Sequence, residues 1–111
     1  MSRNHTNSEY VQLMDTIYER YHKALNGYEF DFKTEVEPFL EENKDLASNI
    51  LNFDTDSRFH DSTRVKTSAE LMELLMACHT SRFRERHFYE KYKFINVWLK
   101  HAKEEGLMCE Y

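Results

Sequence analysis

Residues 88–102 read FYEKYKFINVWLKHA, and within them Phe88, Tyr92, Ile95, Leu99 and Ala102 recur at alternating steps of four and three. A helix turns about 100° per residue, so that spacing puts all five on one face. The stretch reads as an amphipathic helix over about 85–105, with Trp98 on the same arc and Gly106 as its stop. Three further stretches show the same period. Four helices with one apolar stripe each must bury those stripes against one another. The sequence therefore predicts an all-α, single-domain four-helix bundle over residues 1–111.

Composition agrees. The 111 residues suffice for one domain, and Gly and Pro together number three, against roughly 13 from the usual ~12% share. A sheet protein needs such residues at its many turns, so the composition argues against an all-β fold. Eight Phe, seven Tyr and one Trp supply bulky surface to bury, which argues against disorder despite a mean hydropathy of −0.80.

The first helix is expected over 8–26, with Tyr10, Met14, Ile17, Tyr21 and Leu25 as its stripe, Asn7 or Ser8 as its cap and Asn26-Gly27 as its stop. The second is expected over 31–53, headed by Asp31, with Phe32, Val36, Phe39, Leu40, Ala47, Ile50, Leu51 and Phe53 periodic. Pro38 either follows an irregular start or occupies the first turn of a helix capped by Glu37. Asn43 either sets register from within the apolar arc or caps a new segment, and the cap preference of Asn favours the second. Residues 54–66 lack periodicity and read as the long connection. The third helix is expected over 67–82, opened by a Thr67–Glu70 capping box, with Leu71, Leu74, Leu75 and Cys78 buried and Met72 joining them.

The stretch YEFDFKTEVEPFLEEN at 28–43, followed by Asp45-Leu46-Ala47, resembles the YppE-like family of small bacterial proteins from Firmicutes. The likeness lies in the aromatic-acidic start, the single proline and the Glu41-Glu42-Asn43 after it. Ser81-Arg82-Phe83-Arg84-Glu85 sits where such proteins join their last two helices, and the resemblance runs from about Tyr10 to Lys103. It implies a four-helix bundle and a cytoplasmic bacterial protein. The family has no assigned function and defines no catalytic residue.

Chemistry is sparse. Glu19-x-x-His22 has the spacing of a bundle metal ligand pair, but no second Glu-x-x-His occurs and Glu19 points away from the stripe. His22, His79 and His101 lie on three helices, and no spacing brings them together. Asp54-Thr55-Asp56 opens like a calcium loop, yet Phe59 and Val65 stand where glycine and glutamate are required. Cys78 and His79 are helix neighbours splayed about 100° apart, which separates a nucleophile from its base. With Gly27 and Gly106 the only glycines, no phosphate-cradling loop exists. Cys78 and Cys109 form no CxxC, so neither disulfide framework nor zinc site is indicated, and no cofactor is expected.

The formal charge of −5 argues against a nucleic-acid or anionic-membrane binder, and no stretch approaches the ~18 apolar residues of a membrane span. Residues 31–61 carry nine acids and three bases, whereas 79–103 carry seven bases and two acids. Arg82, Arg84 and Arg86 form a basic patch that either touches phosphate or pairs with Glu35, Glu37, Glu41 and Glu42. On the fourth helix Phe94, Val97 and His101 make a second apolar strip, read either as wide core packing or as a partner or dimer surface. The sequence thus favours a cytosolic, non-enzymatic interaction module, with that strip leading and the 54–66 loop second. A metal binder or metal-dependent enzyme using His22, His79 and His101 is the alternative.

Overall fold

The apolar stripes form the inner faces of four helices in the computed structural model, which describes residues 7–108. These are α1 (Asn7–Leu25), α2 (Glu37–Asn49), α3 (Asp61–Ala77) and α4 (Glu85–Glu104). A π-helical turn, Phe32–Val36, precedes α2, and a 3-10 turn, Ile50–Asn52, follows it. No strand occurs among the described residues, and the protein is an all-α four-helix bundle. No helix is long and apolar enough to cross a membrane among those residues. Helix α3 is central: α2 packs along one side of it, α4 along another, and α1 crosses both α3 and α4.

Aromatics join these layers. Tyr21 stacks on Phe88 with centroids 3.9 Å apart, and Phe88 stacks on Tyr92 at 5.6 Å. Tyr10 is fully buried, yet its hydroxyl donates to the Leu46 carbonyl at 2.8 Å and accepts from Asn49 at 3.2 Å. A buried phenol needs such partners, and these tie α1 to α2.

Both glycines stop helices as expected. Gly27 (φ 98°) and Gly106 (φ 66°) take the left-handed conformation, and each closes a Schellman motif. Tyr28 N–H donates to the Lys23 carbonyl at 3.0 Å, and Leu107 N–H to that of Ala102 at 2.8 Å. The second motif folds Leu107 and Met108 back onto the core. Asn7 and Ser8 lie within α1, so neither is its cap; the cap position falls outside the described residues, as does Cys109.

Asp31 caps the second segment as expected, its carboxylate accepting from Thr34 N–H at 2.9 Å and Thr34 Oγ1 at 2.8 Å. The start before Pro38 is irregular, and Pro38 also sits in the first turn of α2. Glu37 is already helical and closes the π-helical turn, its N–H donating to the Phe32 carbonyl, so it does not cap α2. Asn43 opens no new helix. It lies inside α2 and donates to the Phe39 carbonyl one turn back, at 2.9 Å, so the bond a cap would make outward is made within the helix.

Helix α3 departs furthest from the sequence expectation. It begins at Asp61, so Thr67 and Glu70 form no capping box and the irregular connection ends at His60. Thr67 is buried and donates to the Thr63 carbonyl at 2.7 Å. Two tertiary anchors make the earlier start: Arg64 donates to the Phe53 carbonyl at 2.6 Å while pairing with Asp61, and Phe59 is buried against Trp98. The helix also ends earlier, at Ala77, leaving Cys78–Arg84 as loop. Met72 is no part of the buried stripe; it is 37% exposed.

Candidate functional site

Helix α3 has apolar residues on two faces. Leu71, Leu74, Leu75 and Cys78 face the core, whereas Val65 (50% exposed), Ala69, Met72 and Met76 (49%) face outward. At about 100° per residue these four fall within an arc of about 60°, a stripe some 16 Å long at 1.5 Å per residue. Polar residues, not apolar ones, ordinarily occupy the outer arc of a bundle helix. Asp61, Ser62, Lys66 and Glu73 border the stripe. Methionine suits such a surface, being flexible and polarizable enough to fit a range of partner shapes.

A groove of about 450 Å³ runs beside this stripe, between α3 and α4, lined in part by Lys66, Glu70, Glu73, Lys91 and Phe94. Lys91 is paired with Glu70 and, at 3.1 Å, with Glu73, and these bonds hold its ammonium above the ordinary lysine value. Lys66 has no carboxylate partner among the described residues; its ammonium lies 4.9 Å over the Phe94 ring.

The strip expected on α4 is divided. Phe94 is half-buried under Lys66, and His101 is turned to Asp56 at 2.8 Å, so Val97 alone, 52% exposed, faces solvent. The connection, which runs over 54–60, contributes Phe59 to the core and Asp56 to that contact. Arg82, Arg84 and Arg86 are exposed around the start of α4. Their expected pairing with Glu35, Glu37, Glu41 and Glu42 does not form among the described residues. Glu37 pairs with Lys33, Glu41 with Lys44, Glu35 bonds Tyr28, and Arg86 pairs with Glu90. The reason is topological, since α3 separates α2 from α4. The acidic and basic segments make their polar side-chain contact through Asp56 and His101 instead.

The histidines do not converge. His22 bonds the Tyr89 hydroxyl at 2.8 Å, His79 bonds Arg20 at 2.8 Å, and His101 bonds Asp56. No group of three metal-ligating side chains forms among the described residues. Glu19 is exposed.

Cys78 and His79 do come within reach, contrary to the expected splay. The helix ends at Ala77, so the 100° step no longer holds, and Sγ lies 3.6 Å from Nδ1. Their electrostatics still oppose nucleophilic chemistry. Burial pushes the Cys78 thiol up to about 12, and burial followed by the Arg20 charge pushes the His79 imidazole down to about 4. The Arg20 guanidinium donates to His79 Nε2, which assigns the ring proton to Nδ1, facing the sulfur. Arg20 also stacks over Phe39 at 4.3 Å and donates to the Glu35 carbonyl at 3.2 Å, so the cluster joins α1, the π-helical turn and the end of α3.

No family model, curated protein or solved structure matches this chain.

The outer stripe escaped the sequence reading for an identifiable reason. Starting α3 at Thr67 put Val65 in a loop, and assigning Met72 to the core hid the face opposite Leu71. A usable signal was present: apolar residues at 65, 69, 72 and 76 repeat at four, three and four.

Proposed function

We propose that the chain is a small, non-enzymatic interaction module of the YppE-like bacterial kind, acting in the cytoplasm and docking a partner along the outer face of α3. The observation that carries this reading is the four-residue apolar stripe at Val65, Ala69, Met72 and Met76. Isolated exposed apolar residues are ordinary, whereas a continuous stripe bordered by charge is the composition of a recognition surface. The titratable groups support the same reading, because the Cys78–His79 pair is held neutral. The metal alternative gains nothing from three histidines held by separate partners.

A photo-crosslinking amino acid placed at Ala69, Val97 or Arg86 in living cells tests this. Protein adducts concentrated at position 69 are expected. Adducts concentrated at 97 would return the surface to α4, and equal labelling at all three positions would remove the case for a specific surface.

A further inference from the structure

The edge of α3 that faces α4 is self-complementary in charge. Lys66 and Glu73 lie on this same edge, about 20° apart around the helix and seven positions along it. Lys66 lacks a carboxylate partner among the described residues, while Glu70 and Glu73 share the single ammonium of Lys91. One half of the edge therefore carries a cation without a carboxylate partner among the described residues and the other half two carboxylates on one ammonium, and the apolar stripe runs alongside both.

We propose that the occupant of the α3 face is a second copy of this chain, with the two α3 helices antiparallel about a two-fold axis. The inference rests on the interaction reading above and names its partner. A two-fold interface requires the same patch on both sides to complement itself. In an antiparallel pair, like edges meet, so each Lys66 comes beside the Glu73 of the other copy and the contact is made twice. An axis between Ala69 and Met72 sets Val65 against Met76 and the small Ala69 against Met72, matching small side chains to long ones. The Lys66 and Glu73 positions are then offset by about 3 Å along the axis, within reach of a lysine side chain. A parallel arrangement would set Lys66 of one copy against the opposite edge of the other and leave both charges unmatched. An interface built on one helix face belongs to the small, reversible class, so the dimer is concentration-dependent.

Sedimentation velocity over a dilution series is the test, with circular dichroism and thermal melting to confirm that every variant is folded. The wild-type chain is expected to pass from monomer to dimer as concentration rises, and Met72→Lys/Met76→Lys to remain monomeric with an unchanged helical spectrum. Lys66→Glu alone and Glu73→Lys alone should each weaken association roughly tenfold, because each creates two like-charge contacts per dimer. The exchanged variant Lys66→Glu/Glu73→Lys should recover it. A dimer untouched by the methionine substitutions, or an exchange that fails to restore association, overturns the arrangement. A wild-type chain monomeric throughout overturns self-pairing. Because photo-crosslinking at Ala69 is read separately, adducts to another protein there would leave the interaction reading standing.

Discussion

Asp56 and His101 meet at 2.8 Å although 45 positions separate them in sequence. The same Asp56 carboxylate accepts the Phe59 N–H at 2.6 Å and the Arg58 N–H at 2.9 Å. One side chain thus folds the turn that buries Phe59 and fastens that turn to α4. Those bonds, the Phe59 amide first, hold the Asp56 carboxyl below its ordinary value.

Asp56→Ala should therefore lower the urea midpoint at unchanged slope, and Asp56→Asn, which keeps an oxygen for the two amides, should lower it less. A depressed carboxylate pKa contributes stability above the ordinary carboxylate range and loses it as pH falls through the folded value. The deficit of Asp56→Ala against wild type should shrink in acid. Equal midpoints for all three proteins would show that the turn does not depend on this carboxylate.

The start of α3 offers a second test. His60 occupies the cap position in extended conformation without a side-chain bond, so His60→Ser should stabilise the domain by about 0.5–1 kcal/mol. Thr67 bonds only within its own helix, so Thr67→Val should stay within about 1 kcal/mol of wild type, since the i−4 hydroxyl bond adds little to a helix. If Thr67 capped the helix after all, the valine variant would lose its cap and His60→Ser would change nothing. Denaturant titrations of both variants discriminate.

These two positions also show where sequence reading reaches its limit. Periodicity located α4 and both glycine stops, because helix period and left-handed backbone are local properties written in a few residues. It misplaced the start of α3 because Thr67-Ser68-Ala69-Glu70 has the local form of a capping box, while the real start is enforced by Arg64 on Phe53 and Phe59 on Trp98. Those contacts are tertiary. Asn43 was misread for a related reason, since its side chain satisfies itself on the Phe39 carbonyl inside the helix. The contact of Asp56 with His101 was visible only as opposite charge on two segments. Which residues would meet depended on α3 lying between α2 and α4.

Cys78 should resist modification in the folded protein. It is fully buried and its thiol is pushed up to about 12, so almost no thiolate is present near neutral pH. Peptide mapping after alkylation should find Cys78 unmodified under native conditions and modified in denaturant. Rapid native labelling would mean that His79, at 3.6 Å, activates the sulfur despite its burial.

His79 should give the domain an acid-sensitive stability with a definite window. Its folded pKa is pushed down to about 4, by burial first and Arg20 second, from an ordinary 6.5. Between those values the unfolded chain binds a proton that the folded chain does not, so stability is fully present above about 6.5 and falls as pH drops toward 4. The loss should be on the order of 2 kcal/mol across that window, discounting the shift for partial exposure of the ring. His79→Gln keeps an acceptor for Arg20 and removes the proton site, so its stability profile should be flatter over the same range. Arg20→Gln removes the neighbouring cation and should raise the His79 midpoint, read by NMR titration of the imidazole. A wild-type titration near 6.5 that Arg20→Gln leaves unmoved would show that the ring is solvated and that Arg20 does not hold it neutral.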